Sequence, residues 1–325
     1  MCEIPLIFSV VEPPFMTPFQ TYSGEIKLWC TMFENVLVPV DLSVNSRFTL
    51  RCLRHIPGLR QVEILHVVYN KYPSKVRGPV DPDYEHTRLW LEDIKGDVEK
   101  KGVKVRTIIE EIQGGEIFEA INRITAHEGV ALTVMGKRGR GIIDTLLLGS
   151  VASDVLRYGK TDLLLVHNKP VKEILTVGQD LPCPDLFSHG LVCTDFSDPE
   201  IIDLCCNELP WIRKVTLFHA VTTGDSPEEV RSSFDAAQVN LKKMQDTFSR
   251  ISIPAQVHVS VGSVAEEIVS FSEKQDISII ILKSTGKRSF LQNLIGSTTA
   301  RVARNSQKPV LILRRSRGGV NNNGG

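Results

Sequence analysis

Two glycine-rich runs in this chain have the composition of phosphate cradles. The first is Gly136-Lys-Arg-Gly139-Arg-Gly141, followed after an apolar stretch by Gly149-Ser150, so the pattern reads G-x-x-G, nine residues, G-S. Glycine lets the backbone turn successive N–H groups toward one anion. Gly149-Ser150 at a helix start adds N–H groups, a hydroxyl and the positive end of the helix dipole. Lys137, Arg138 and Arg140 either add compensating charge to such an anion or form a solvated surface. The second run is Lys283-Ser-Thr-Gly286, nine residues, then Gly296-Ser297. A lone glycine run marks an ordinary turn as readily as a ligand. The same nine-residue spacing, found twice after a buried strand and before a helix, is far more specific.

The recurrence extends along the chain, as a search for internal repeats shows. NVLVPVDLS from Asn35 matches GLVCTDFS from Gly190, placing Asp41 against Asp195 and Pro39 against Cys193. VEILHVV from Val62 matches VTLFHAV from Val215, so His66 answers His219. GEIFEAI from Gly115 matches GSVAEEI from Gly262, with Glu119 opposite Glu266 at the opening of a helix. VALTVM from Val130 matches ISIIIL from Ile277, and DLLLVH from Asp162 matches PVLILR from Pro309. The offset between copies is 154 residues at the aspartates and 147 at the glycines, so length differences fall between the ordered elements.

These short apolar runs alternate with helical stretches, among them 83–101 and 226–250. Ser226-Pro-Glu-Glu gives the latter a capping box with proline in the first turn. The order in each copy is βαβαβαβαβ. Continuous apolar strands separated by helices imply a parallel sheet covered on both faces by right-handed crossovers. Ligands of such sheets bind beyond the carboxyl ends of the strands, where strand order reverses. The predicted organisation is a poorly ordered tail over 1–31, a first domain over 32–168, a linker over 169–186 with Pro170, Pro182 and Pro184, a second domain over 187–315 and a flexible tail over 316–325.

Composition agrees with two soluble globular domains. The chain has 325 residues, 42% hydrophobic and 23% charged, enough for two cores. Lys plus Arg equals Asp plus Glu at 38 each, so no global field recruits nucleic acid or an anionic membrane. No apolar run approaches the ~18 residues of a membrane span. Seven cysteines without a C-x-x-C pair argue against a disulfide framework and a structural zinc site, and fit a reducing cytoplasm. Adjacent Cys205 and Cys206 read as buried packing residues.

With both loops and the repeated strands in hand, the stretch from Phe33 to Arg315 resembles a tandem universal stress protein: two Rossmann-like, doubly wound five-stranded α/β domains of the adenine-nucleotide α-hydrolase type. The resemblance implies that G-x-x-G-x9-G-S holds the phosphates of ATP, or of ADP or AMP, that the strand-one aspartate meets the adenosine, and that strands two and four frame the base. Carried onto this chain, those roles fall on Pro39, Asp41, Val67, Met135, Gly136, Gly139, Gly149, Ser150 and Val151. Mg2+ is the metal such a nucleotide would bring. The resemblance further implies pairing of the two domains through their last strands, 162–167 and 309–314, a homodimer of the whole chain, and a protein partner that the sequence does not name.

The second copy departs from the pattern, with Lys283 at the first glycine. Its side chain either crowds the approach of adenosine or presents a point charge to a phosphate. Asp195, Gly286, Gly296, Ser297 and Thr298 remain, so Asp195, Lys283, Gly286, Gly296, Ser297 and Thr298 form the expected second, altered site. Asp41 either contacts a ligand or caps the turn after its strand. His66 and His219 read as structural, since neither has a paired nucleophile or carboxylate. No catalytic residue is assigned. The reading is a nucleotide-binding stress-response or regulatory protein. The alternatives are a slow ATPase or nucleotidyl-transfer enzyme, for which metal ligands and a water-positioning base should be visible, and a scaffold with both sites vestigial.

Overall fold

The apolar runs that recur in the sequence become the inner strands of one sheet. The computed structural model describes residues 33–69, 82–99, 102–137, 148–167, 183–198, 200–209, 211–222, 224, 226–284 and 295–314. Both expected tails, most of the linker, and Arg138, Gly139, Arg140 and Gly286 lie outside these residues.

The first copy contributes β1 (Asn35–Pro39), β2 (Gln61–Tyr69), β3 (Lys104–Ile112), β4 (Leu132–Gly136) and β5 (Asp162–Val166), with helices α1 (Val44–Cys52), α2 (Pro82–Glu99), α3 (Ile117–His127) and α4 (Ser150–Tyr158). The second contributes β6 (Gly190–Cys193), β7 (Val215–Val221), β8 (Ala255–Val261), β9 (Ile279–Lys283) and β10 (Val310–Leu313), with α5 (Glu200–Glu208), α6 (Pro227–Arg250), α7 (Val264–Lys274) and α8 (Ser297–Asn305). At the start of α6, Ser226 accepts the Glu229 N–H, the serine half of the expected capping box, and Pro227 occupies the first turn.

The strands form one ten-stranded sheet in the order β3-β2-β1-β4-β5-β10-β9-β6-β7-β8. Every described pairing within a copy is parallel, and the copies join where β5 runs antiparallel to β10. Two doubly wound halves thus share one sheet. Side chains alternate across it: Val36, Val38, Ile64, Leu164 and Leu311 enter a core with α1, α2, α5 and α6. Leu37, Leu65, Leu163, Leu165 and Ile312 enter the opposite core with α3, α4, α7 and α8. Each core runs across the joint without a break. The edge strands β3 and β8 are only partly buried, so their sequences lack the unbroken apolar runs of the inner strands.

The joint is also held by two cations. The Arg314 guanidinium donates to the carbonyls of Gly159 at 2.6 Å, Val155 at 3.0 Å and Leu156 at 2.7 Å, closing the C-terminus of α4 from the other copy. A cation there also meets the negative end of the helix dipole. Burial pushes the Arg314 pKa down to about 10, against the pull of Asp162, so it stays charged at neutral pH. Lys137 corrects its sequence reading: it is buried, not solvated, and its ammonium donates to the carbonyl of Ser306, the C-cap of α8, instead of facing the loop's anion. The position after β4 lies beside β5, and β10 and the end of α8 lie just across the joint.

A disulfide joins Cys52 at the end of α1 to Cys183, 131 residues later. Among the described residues it is one bond and no framework, but it departs from the reducing environment that the cysteine count suggested. Arg54 donates to the Cys183 carbonyl at 3.0 Å and His55 lies 2.9 Å from the same oxygen. The last residues of the expected linker are therefore packed: Cys183 and Leu186 are buried. Cys205 and Cys206 are buried in the core, in keeping with a packing role.

Candidate functional site

In each half, strand order reverses between the first and fourth strands, β1 beside β4 and β6 beside β9. The crevice of a doubly wound sheet opens at that reversal. Pro39 ends β1, and Asp41 follows it, half-buried. Val67 lies near the end of β2, and Met135 and Gly136 end β4. Gly149 is the N-cap of α4, followed by exposed Ser150 and half-buried Val151. The topology therefore gathers eight of the nine first-copy residues at one end of three adjacent strands and one helix start. Gly139, the ninth, lies outside the described residues.

Local hydrogen bonds fix both walls of this crevice. The Gly149 N–H donates to the Lys137 carbonyl at 2.8 Å, and the Gly296 N–H donates to the Ser284 carbonyl at 2.7 Å, the same bond in each copy. Each ties the start of the last helix to the end of the fourth strand. Glycine at both N-caps supplies no side chain to the first helical N–H groups, which leaves an anion-attracting end turned to the crevice. On the other wall, Asp41 Oδ1 accepts the Ser43 N–H at 3.1 Å, the Ser43 hydroxyl at 2.5 Å and the Ser46 hydroxyl at 2.6 Å. Asp41 thus caps its turn with one oxygen. Asp195 does the same with the N–H and hydroxyl of Ser197.

Both turns carry a strained residue straight after the aspartate: Leu42 and Phe196 each have φ 61°. A non-glycine residue in this left-handed region costs on the order of 1–3 kcal/mol, and such strain gathers at ligand sites. The matched histidines hold this backbone. His66 Nδ1 lies 2.8 Å from the Val40 carbonyl and His219 Nδ1 lies 2.8 Å from that of Thr194, so each Nδ1 carries the proton and donates. The Phe196 ring stacks on His219 with centroids 4.4 Å apart.

In the second copy, Asp195, Lys283, Gly296, Ser297 and Thr298 line one cavity of about 1180 Å³. Cys193, which replaces Pro39, is also on its wall, and burial pushes its thiol well above the usual range, so it stays protonated. Lys283 Nζ lies 3.1 Å from Asp198 Oδ2 and 3.9 Å from Glu200 Oε2. Sequence reading passed over these two acids. The signal was present as acidic residues three and five positions after Asp195, where the first copy has Val44 and Ser46 after Asp41.

Among the described residues, no group of three or more His, Cys, Asp or Glu side chains is placed to hold a metal ion. No helix among them is long and apolar enough to cross a membrane.

Comparison with known proteins bears on both halves. The model of the universal stress protein family matches residues 32–167 and 214–314. A universal stress protein of Mycolicibacterium smegmatis is 23% identical over 299 residues, covering 86% of this chain and 96% of that relative. One from Methanocaldococcus jannaschii is 26% identical over 160 residues, covering 42% of this chain and 97% of its own length. Among solved structures, a universal stress protein from Archaeoglobus fulgidus superposes with a TM-score of 0.63 at 21% identity, covering 89% of this chain and 99% of that one. At that identity the likeness speaks to the fold.

Proposed function

Because the chain belongs to the universal stress protein family, we propose that its first copy binds ATP, or the related ADP or AMP, and that the protein acts in a stress response or its regulation through that binding. The observation that carries this reading is the Gly149 helix start, tied to the end of β4 beside the strand reversal at which Asp41 follows β1. Phosphates would lie on the N–H groups at Gly149, Ser150 and Val151 and on the loop from Gly136 to Gly139. The adenosine would lie toward Pro39, Asp41, Val67 and Met135. Mg2+, which favours phosphate and water oxygens, would be held chiefly by the nucleotide. A nucleotide that binds one state of the protein better than another stabilises that state, and a partner can read it without catalysis.

The test is direct. Mass spectrometry of protein released from a native purification should show an adenine nucleotide, and added ATP should raise the melting temperature. Finding neither overturns the proposal. A slow ATPase would release phosphate at a rate that Gly139→Val lowers; equal rates in the two proteins assign the release to a contaminant.

A further inference from the structure

We infer that Asp198, Glu200 and Lys283 together form a latch across the second crevice and are the residues that deny it the nucleotide proposed for the first. The ligand class rests on that proposal; the latch itself rests on the following geometry.

Space is not what the second copy lacks. Its cavity of about 1180 Å³ is larger than the roughly 300–1,000 Å³ of ordinary small-molecule pockets. The helix start at Gly296 repeats the bond of the first copy, and Asp195 takes the N–H and hydroxyl of Ser197 as Asp41 takes those of Ser43. What differs is the crossing between β9 and β6, the strands that flank the reversal. Lys283 ends β9, its side chain is only 10% exposed, and its ammonium reaches the two carboxylates that follow β6.

The latch is fixed at both ends. The Lys283 carbonyl accepts the Thr299 hydroxyl at 2.9 Å, and Asp198 Oδ1 accepts the Glu200 N–H at 2.9 Å while Oδ2 takes the ammonium. The replacements are also concerted. Gly136, Val44 and Ser46 stand at the corresponding places in the first copy, none of them carries a charge, and Ser46 holds Asp41 instead. Three independent drifts would not be expected to place one cation against two anions. A nucleotide entering the second crevice must draw the Lys283 ammonium, whose side chain is 10% exposed, away from the half-exposed Asp198 and then set its phosphates beside Asp198 and Glu200, where like charges repel.

Removing Lys283 alone would leave both acids behind, so the informative variant carries Asp198→Val, Glu200→Ser and Lys283→Gly together. Equilibrium dialysis of the full chain against Mg-ATP counts bound equivalents, and circular dichroism checks the fold. The native chain should bind one equivalent and the triple variant two. An unchanged count in the folded triple variant, or two equivalents in the native chain, overturns the latch. A native count of zero with one in the variant upholds the latch and overturns the first-copy proposal instead. If the triple variant does not fold, the reverse transfer decides: Val44→Asp with Gly136→Lys should abolish the native equivalent, and its retention in the folded variant overturns the inference.

Discussion

Leu164 stands directly opposite Leu311 where β5 meets β10, and the two are the same position of the repeat. Their neighbours obey the same symmetry, with Val310 opposite Leu165 and Ile312 opposite Leu163. A local two-fold axis therefore passes through this pair, and the single chain contains the arrangement of a symmetric dimer. Leu164 is 1% exposed and Leu311 is fully buried. Leu164→Ala and Leu311→Ala should each cost about 2–5 kcal/mol of unfolding free energy. The double variant should lose measurably less or more than their sum, because contacting residues couple. Urea titrations give all three values, and strict additivity would contradict a shared joint.

Arg314 fills the C-terminus of α4 from the other half. Gly159 belongs to the same device, since a Cβ there would stand 2.4 Å from the Val155 carbonyl that Arg314 also bonds. Arg314→Met leaves the carbonyls of Val155, Leu156 and Gly159 short of a donor, a loss of about 1–3 kcal/mol. Chemical denaturation measures it.

Stability should fall as pH drops from 7 to 5. Burial pushes the pKa of His189 and of His258 below the ordinary value of 6.5. The unfolded chain therefore binds more protons as pH falls through 6.5, and the folded state loses stability until the lowered folded values are passed. His189 also makes bonds at both ring nitrogens, to the Asp276 carbonyl and the Thr216 hydroxyl, each 2.8 Å. His189→Gln combined with His258→Gln should flatten the melting temperature between pH 7 and 5. Glu128, whose carboxyl Arg106 holds below its usual range, contributes only at more acid pH.

The Cys52–Cys183 bond closes a loop of 131 residues. Opening it should cost about 2–4 kcal/mol through the freedom regained by the unfolded chain. A thermal melt with and without reductant checks this, and Cys52→Ala should remove the difference.

The sequence made the nine-residue spacing and the inner strands plain, because strands buried on both faces must be mostly apolar: β1, β4 and β5 recur as such runs, and β2 recurs with Glu63 and His66 inside it. The edge strands β3 and β8 were hidden by their mixed burial. The cysteine partnership was invisible because nothing local links position 52 to position 183. Lys137 read as a solvated or phosphate-facing charge because its target, the Ser306 carbonyl, lies in the other copy. Asp198 and Glu200 were passed over because Lys283, whose ammonium reaches both, lies far along the chain from them. In each case the missing information was a long-range contact, and the sequence carries only the residue types that make it.

The claim on which the rest depends is that one competent nucleotide site lies in the first copy. Gly149→Arg and Gly296→Arg place the same bulk at the equivalent helix starts. Native purification followed by mass spectrometry of the released small molecules compares them with the unaltered chain. The unaltered protein and Gly296→Arg should carry an adenine nucleotide while Gly149→Arg carries none. Nucleotide retained by Gly149→Arg and lost from Gly296→Arg would contradict it.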